Sequence, residues 1–171
     1  MVKLLAWFWS IVEALFPPPA YDQDPKTLDM NQPEPVILTK REELLKIFKE
    51  ALGTDASPLN KAPSDFACAE AMCALIQKVF PDFPTTLSTV ELYYFLKESP
   101  HFVQTTWPKA GNVVVSPRRV QYGHAGGFIE NNLIASNDSK TGRFELNYSI
   151  DEWAKEMRDQ RGLRIFFFEA I

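Results

Sequence analysis

Two cysteines and two histidines are all that this 171-residue chain offers to thiol or soft-metal chemistry. It contains no C-x-x-C pair and no H-E-x-x-H, so a zinc site has no recognisable ligand set. Cys68 and Cys73 fall five residues apart in one helical stretch. That spacing turns their side chains roughly 140° apart, which rules against a disulfide between them. There is no lysine or arginine run either. The densest basic spots are Arg118-Arg119 and the scattered Arg158, Arg161 and Arg164, on a chain of net charge −4. That lacks the electrostatic footprint of a nucleic-acid binder. No G-x-S-x-G elbow and no glycine-rich loop opens a helix, which leaves serine-hydrolase and phosphate-binding chemistry without their usual signatures.

The apolar stretch 2–16 (VKLLAWFWSIVEALF) falls short of the roughly 20 residues that span a bilayer. Lys3 and Glu13 interrupt it, and Trp7 and Trp9 suit a membrane interface. Three roles are open to it: a membrane-associating or export segment, a helix docked on a protein surface, or a cleaved leader. Pro17-Pro18-Pro19 stops any helix. Residues 17–35 carry six prolines and several acids and read as an extended linker. A domain is expected over residues 36–171.

What the chain does have is apolar mass. Hydrophobic residues make up 46% and aromatics 13%, enough for one domain with a sizeable core. Thr39 with Glu42, Ser88 with Glu91, and Ser149 with Glu152 each match a capping box. They predict helices to about Leu52, to just before Pro100, and to about Gln160, with Gly53 and Gly162 as stops. A further helix is expected over 66–79, with Pro63, Ser64 and Asp65 as cap candidates. Strands are predicted at 111–116, 124–130, 133–137, 143–148 and 163–169, with Asn131-Asn132 as a two-residue hairpin turn. Helices followed by an antiparallel meander make an α+β fold.

Cys68 falls in the first turn of its helix, where unpaired N–H groups and the helix dipole favour a thiolate. A lowered pKa and a better nucleophile are therefore expected there. Cys73 lies deeper, among Ala74, Leu75 and Ile76, and reads as core. His101 reads as a solvated loop residue. His124 opens a strand and is followed by Gly126 and Gly127, glycines of the kind that admit a close approach. A cysteine at a helix N-terminus, a histidine opening a later strand and a polar residue on the next strand supply nucleophile, base and orienter. A strict two-residue turn places Leu133, Ala135, Asn137 and Ser139 on the face of His124, which makes Asn137 the orienter. A one-residue bulge would shift that role to Ser136 or Asp138.

The stretches FACAEAMCALIQKVFP, PKAGNVVVSP, YGHAGGFI and IASNDSKTGRFELNYSIDEW together resemble the NlpC/P60 and CHAP group of peptidoglycan hydrolases, in particular small phage-associated members. The likeness covers residues 60–171. It implies a papain-like fold in which Cys68 attacks an amide, His124 is the base and a residue near Asn137 orients the ring. It also implies that the Cys68 N–H faces the oxyanion, that no cofactor is required, and that the substrate is a peptide or amide bond of the bacterial cell wall. The chain departs from the pattern around the nucleophile (Phe66-Ala67-Cys68-Ala69-Glu70), at Gly111-Asn112 where Gly-Asp is usual, and at Gly127. Two other readings use the same fold: an acyltransferase or deamidase with unchanged Cys68–His124 chemistry, and a non-catalytic wall-binding or phage structural module. The setting implied is membrane-associated, exported, or at the cell wall or a phage particle.

Overall fold

Helix α1, Lys40–Ala51, begins where Thr39 and Glu42 close a complete capping box, and the chain leaves it through Gly53 at φ 77°. Its Leu44 and Phe48 are buried on one side. The computed structural model describes residues 37–57, 59, 63, 67–118 and 123–171. The apolar segment 2–16 and the Pro-rich stretch 17–35 lie outside these, as do Ser64, Asp65 and Phe66.

Helix α2, Cys68–Gln77, opens on an N-cap, Ala67, that has no side chain able to cap it. Its first N–H groups are therefore left to other partners. Helix α3, Thr89–Glu98, is capped by Ser88, which accepts from the Glu91 N–H. The expected box stays half closed, because the Glu91 carboxylate accepts from the Thr86 hydroxyl.

Six strands follow: β1 Phe102–Thr105, β2 Val113–Ser116, β3 His124–Glu130, β4 Leu133–Asp138, β5 Arg143–Ser149 and β6 Phe166–Ala170. They form one sheet in the order β1-β6-β2-β3-β4-β5, and every neighbouring pair is antiparallel. Strands β2 to β5 are the expected meander. Strand β6 returns between β1 and β2. Strand β1 was not anticipated, because only Phe102 of its four residues is buried and no alternation marks it.

The two faces of the sheet carry different cores. Val113, Val115, Ala125, Ala135, Phe144 and Phe168 pack with residues of α1, α2 and α3. Val114, Phe128 and Ile134 pack with Trp153 and Met157. Those last two come from helix α4, Ile150–Trp153, which opens on a complete Ser149–Glu152 box, and from the π-helix Ala154–Gln160 that continues it. A single α-helix was expected there. The wider turn instead lets the Arg161 N–H donate to the Glu156 carbonyl, five residues back, and the two side chains form an ion pair. The observed class is α+β, with helices preceding an antiparallel sheet.

Gly127 lies tightly under α1, since a Cβ at that position would lie 2.5 Å from the Phe48 ring. Gly127→Ala is expected to destabilise the chain by about 1–3 kcal/mol through overpacking. Urea denaturation of Gly127→Ala, Phe48→Leu and the double variant should give a double loss smaller than the sum of the singles. Additive losses would show that the two positions do not meet.

Candidate active site

Three ends converge at one end of the sheet: the close of β2 at Ser116, the start of β3 at His124 and the close of β4 at Asp138. Ser116 pairs with His124 across β2 and β3. A cleft of about 1140 Å³ lies there, and its lining includes Cys68, His124, Asn137, Tyr148 and Arg161. The expected nucleophile, base and orienter thus reach one cavity.

The β3–β4 hairpin decides which residue orients the ring. Its turn is Asn131-Asn132, and Glu130 pairs with Leu133 as a two-residue turn requires. Phe128, however, pairs with Ile134, so Ile129 is one residue extra and the register shifts. Beyond this bulge Gly126 stands opposite Ser136 instead of Asn137. Because side chains alternate along a strand, the single-residue slip moves Ser136 onto the face of His124 and turns Asn137 to the other side. The strict-turn register that favoured Asn137 is corrected accordingly.

Ser136 then fixes the proton on the ring. Its hydroxyl donates to Asn147 Oδ1 at 2.8 Å and lies 2.9 Å from His124 Nε2. A hydroxyl has one proton to donate. With that proton directed at Asn147, Oγ accepts, so Nε2 carries the ring hydrogen and Nδ1 is left as a bare lone pair. The Asn147 amide cannot reverse without loss, because its Nδ2 contacts the carbonyls of Ser136 and Asn137, each at 3.5 Å. The ring also stacks on Trp153, with centroids 5.1 Å apart and planes 21° apart, and meets Tyr148 edge-on at 5.8 Å. Trp153 is held in turn by donation from its Nε1 to Ser116 Oγ at 3.0 Å.

Burial pushes His124 down to about 4, and the Arg161 guanidinium adds to this while Asp138 opposes it. The ring is therefore neutral at pH 7 and its Nδ1 can accept a proton. Tyr148 is pushed up to about 12 by burial and by the neighbouring, hydrogen-bonded Glu156 carboxylate, so it stays protonated.

Cys68 is the first residue of α2 and is 8% exposed. Backbone hydrogen bonds from Ala125, Ala69 and Cys68 itself favour its thiolate, yet burial outweighs them and pushes the thiol up to about 11. The expected lowering at the helix N-terminus is thus overturned: the N–H groups are present, but desolvation is the larger effect. No hydrogen bond joins the thiol to the His124 ring, whose partner is Ser136. Cys73 is fully buried and both cysteines are free thiols, while exposed His101 stacks on Phe80 at 4.7 Å. Among the described residues no three His, Cys, Asp or Glu side chains gather into a metal-binding group.

Ser136 was recognisable in the sequence only as the alternative to Asn137. Asn147, Trp153, Tyr148 and Arg161 had no motif to announce them. Neither a protein-family model nor a curated protein matches this chain.

A folded-state value near 4 against an ordinary 6.5 for His124 sets the sign of a pH effect. Between those values the unfolded chain binds the proton and the folded chain does not, so this histidine's contribution is complete above pH 6.5 and is lost as the pH falls towards 4. Urea titrations across that window should show wild type losing up to about 3 kcal/mol more than His124→Gln. Parallel curves for the two proteins would contradict a buried, neutral imidazole.

Proposed function

We propose that the chain is a cysteine hydrolase of papain-like type, acting on a peptide or amide bond of bacterial peptidoglycan. The observation that carries this reading is the His124–Ser136–Asn147 chain, which leaves Nδ1 as a base in a cleft that the Cys68 thiol also lines. The likeness of residues 60–171 to NlpC/P60 and CHAP hydrolases supports the choice of substrate.

The pKa positions select how the attack proceeds. A thiol near 11 and an imidazole near 4 are both neutral at rest. Forming the separate ions first would be uphill by on the order of 10 kcal/mol, before their mutual attraction is counted. The proton therefore passes from sulfur to Nδ1 as the C–S bond forms, and His124 is a general base to the thiol. The carbonyl π pair moves to oxygen, then returns as the C–N bond breaks, and Nδ1 gives its proton to the departing amine. Water then attacks the thioester carbonyl as Nδ1 takes its proton, and as the C–S bond breaks Nδ1 returns that proton to the Cys68 sulfur, releasing the acid and restoring both neutral groups. Throughout, Nε2 keeps its hydrogen on Ser136, whose neutral hydroxyl orients the ring without adding charge.

The raised thiol favours a second reading, a non-catalytic wall-binding or phage structural module that keeps the fold. Digestion of purified peptidoglycan by the full chain, read by mass spectrometry of the soluble muropeptides, separates the two. A hydrolase gives a new fragment that Cys68→Ala abolishes and that names the bond. Pull-down of the chain on intact peptidoglycan with no fragment from either protein would establish the module instead.

A further inference from the structure

The His124–Ser136–Asn147 chain consists of neutral side chains, and that leaves one charge without a counterpart. When Nδ1 takes a proton the ring becomes a buried cation, and the Arg161 guanidinium works against it. Neither Ser136 nor Asn147 carries a charge to set against the imidazolium, and a buried charge without a counter-charge is costly.

The carboxylates of the cleft are committed elsewhere. Asp138 favours the imidazolium less than Arg161 opposes it, and its Oδ1 accepts from the N–H groups of Lys140 and Thr141 at 2.7 and 3.2 Å. Glu152 Oε2 accepts from the N–H and the hydroxyl of Ser149 in the capping box. Glu156 pairs with Arg161 and hydrogen-bonds Tyr148. The cations are less occupied. Arg118, Lys140 and Lys155 line the same cleft, are exposed, and form no ion pair among the described residues. With Arg161 they set four positive charges against three negative ones along the described lining, on a chain of net charge −4. A positive cleft in an acidic protein concentrates anions.

We propose that the substrate carries a free carboxylate beside the scissile amide, that Arg118, Lys140 and Lys155 hold it in the cleft, and that it supplies the negative charge which the His124–Ser136–Asn147 chain lacks. This rests on the cysteine-hydrolase reading. A carboxylate held there does little for the resting ring, which is neutral, and much for the ring as it gains a proton. Its attraction is therefore stronger in the transition state than before it, which raises turnover and does not merely tighten binding. It takes the part of an acidic third residue, and it arrives only with the substrate.

The test uses purified peptidoglycan, either untreated or with its carboxylates converted to amides by carbodiimide in excess ammonium. Full-length wild type is compared with a variant carrying Arg118→Gln, Lys140→Gln and Lys155→Gln together. Muropeptide release is followed at pH 7 over a range of peptidoglycan loads, which separates the saturating rate from the half-saturating load. Wild type is expected to lose about 10–100-fold in saturating rate on the amidated material, the effect of one unit charge about 6–8 Å from the ring in partly screened surroundings. The triple variant is expected to keep the thermal midpoint of wild type, because all three side chains are exposed, and to release the two materials within threefold of each other. Wild-type saturating rates within threefold on both materials would overturn the proposal and leave the hydrolase reading standing, and a change in half-saturating load alone would reduce the cations to binding. A folded triple variant that still distinguishes the materials would overturn the part given to its three cations. No release by wild type from untreated peptidoglycan would remove the hydrolase reading and this proposal with it.

Discussion

The site depends on where one hydroxyl proton goes. Ser136 has a single hydrogen to give, and Asn147 takes it at 2.8 Å. The tautomer of His124 follows from this: Nε2 donates to Ser136 and Nδ1 keeps the lone pair, while Trp153 and Tyr148 hold the ring plane. A carboxylate in place of Ser136 would also orient the ring, and it would stabilise the imidazolium as well. The neutral pair orients without that stabilisation, so burial and Arg161 set the proton affinity of the ring. The resting cleft consequently holds a neutral thiol and a neutral imidazole, and in the proposed hydrolase the nucleophile is generated only during attack.

A backbone irregularity makes this arrangement possible. Ile129 is one residue more than the β3–β4 ladder needs. Removing that bulge would exchange the two faces of β4, bringing Asn137 to the ring and taking Ser136 to the other side. Adjacent residues of one strand thus stand on opposite faces of the sheet, Ser136 on the side of His124 and Asn137 on the side of Phe144. The π-helix is a second irregularity at the same cleft. Its wider turn stacks Arg161 on Glu156 and so brings a guanidinium to the edge of the His124 pocket.

Much of the fold was legible because local chemistry announces itself. Thr39–Glu42 and Ser149–Glu152 are complete boxes in the structure, β3 spans the residues expected of it, and Asn131-Asn132 is the turn. Cys68, His124 and Asn137, singled out from the sequence, line one cavity. Failures arose where a non-local effect overrode a local one. A bulge leaves no mark in the sequence of β3, since Ile129 looks like any strand residue, so the orienter fell one position away. The helix N-terminus favours a thiolate at Cys68, but the burial that reverses this comes from the surrounding fold. Strand β1 has too few buried positions to show an alternation, and the π-helix keeps a sequence that reads as α-helix.

Nitrogen-15 NMR of the full chain labelled at histidine tests the central claim most directly. Only two rings are present, His101 and His124, and His101→Gln assigns them. At pH 7 the account predicts a neutral His124 with its proton on Nε2 and an unprotonated Nδ1, and a proton that moves to Nδ1 in Ser136→Ala or exchanges between the two nitrogens. A wild-type ring protonated on Nδ1, or carrying both protons at pH 7, would contradict it, because Nδ1 would then have no lone pair to offer the thiol.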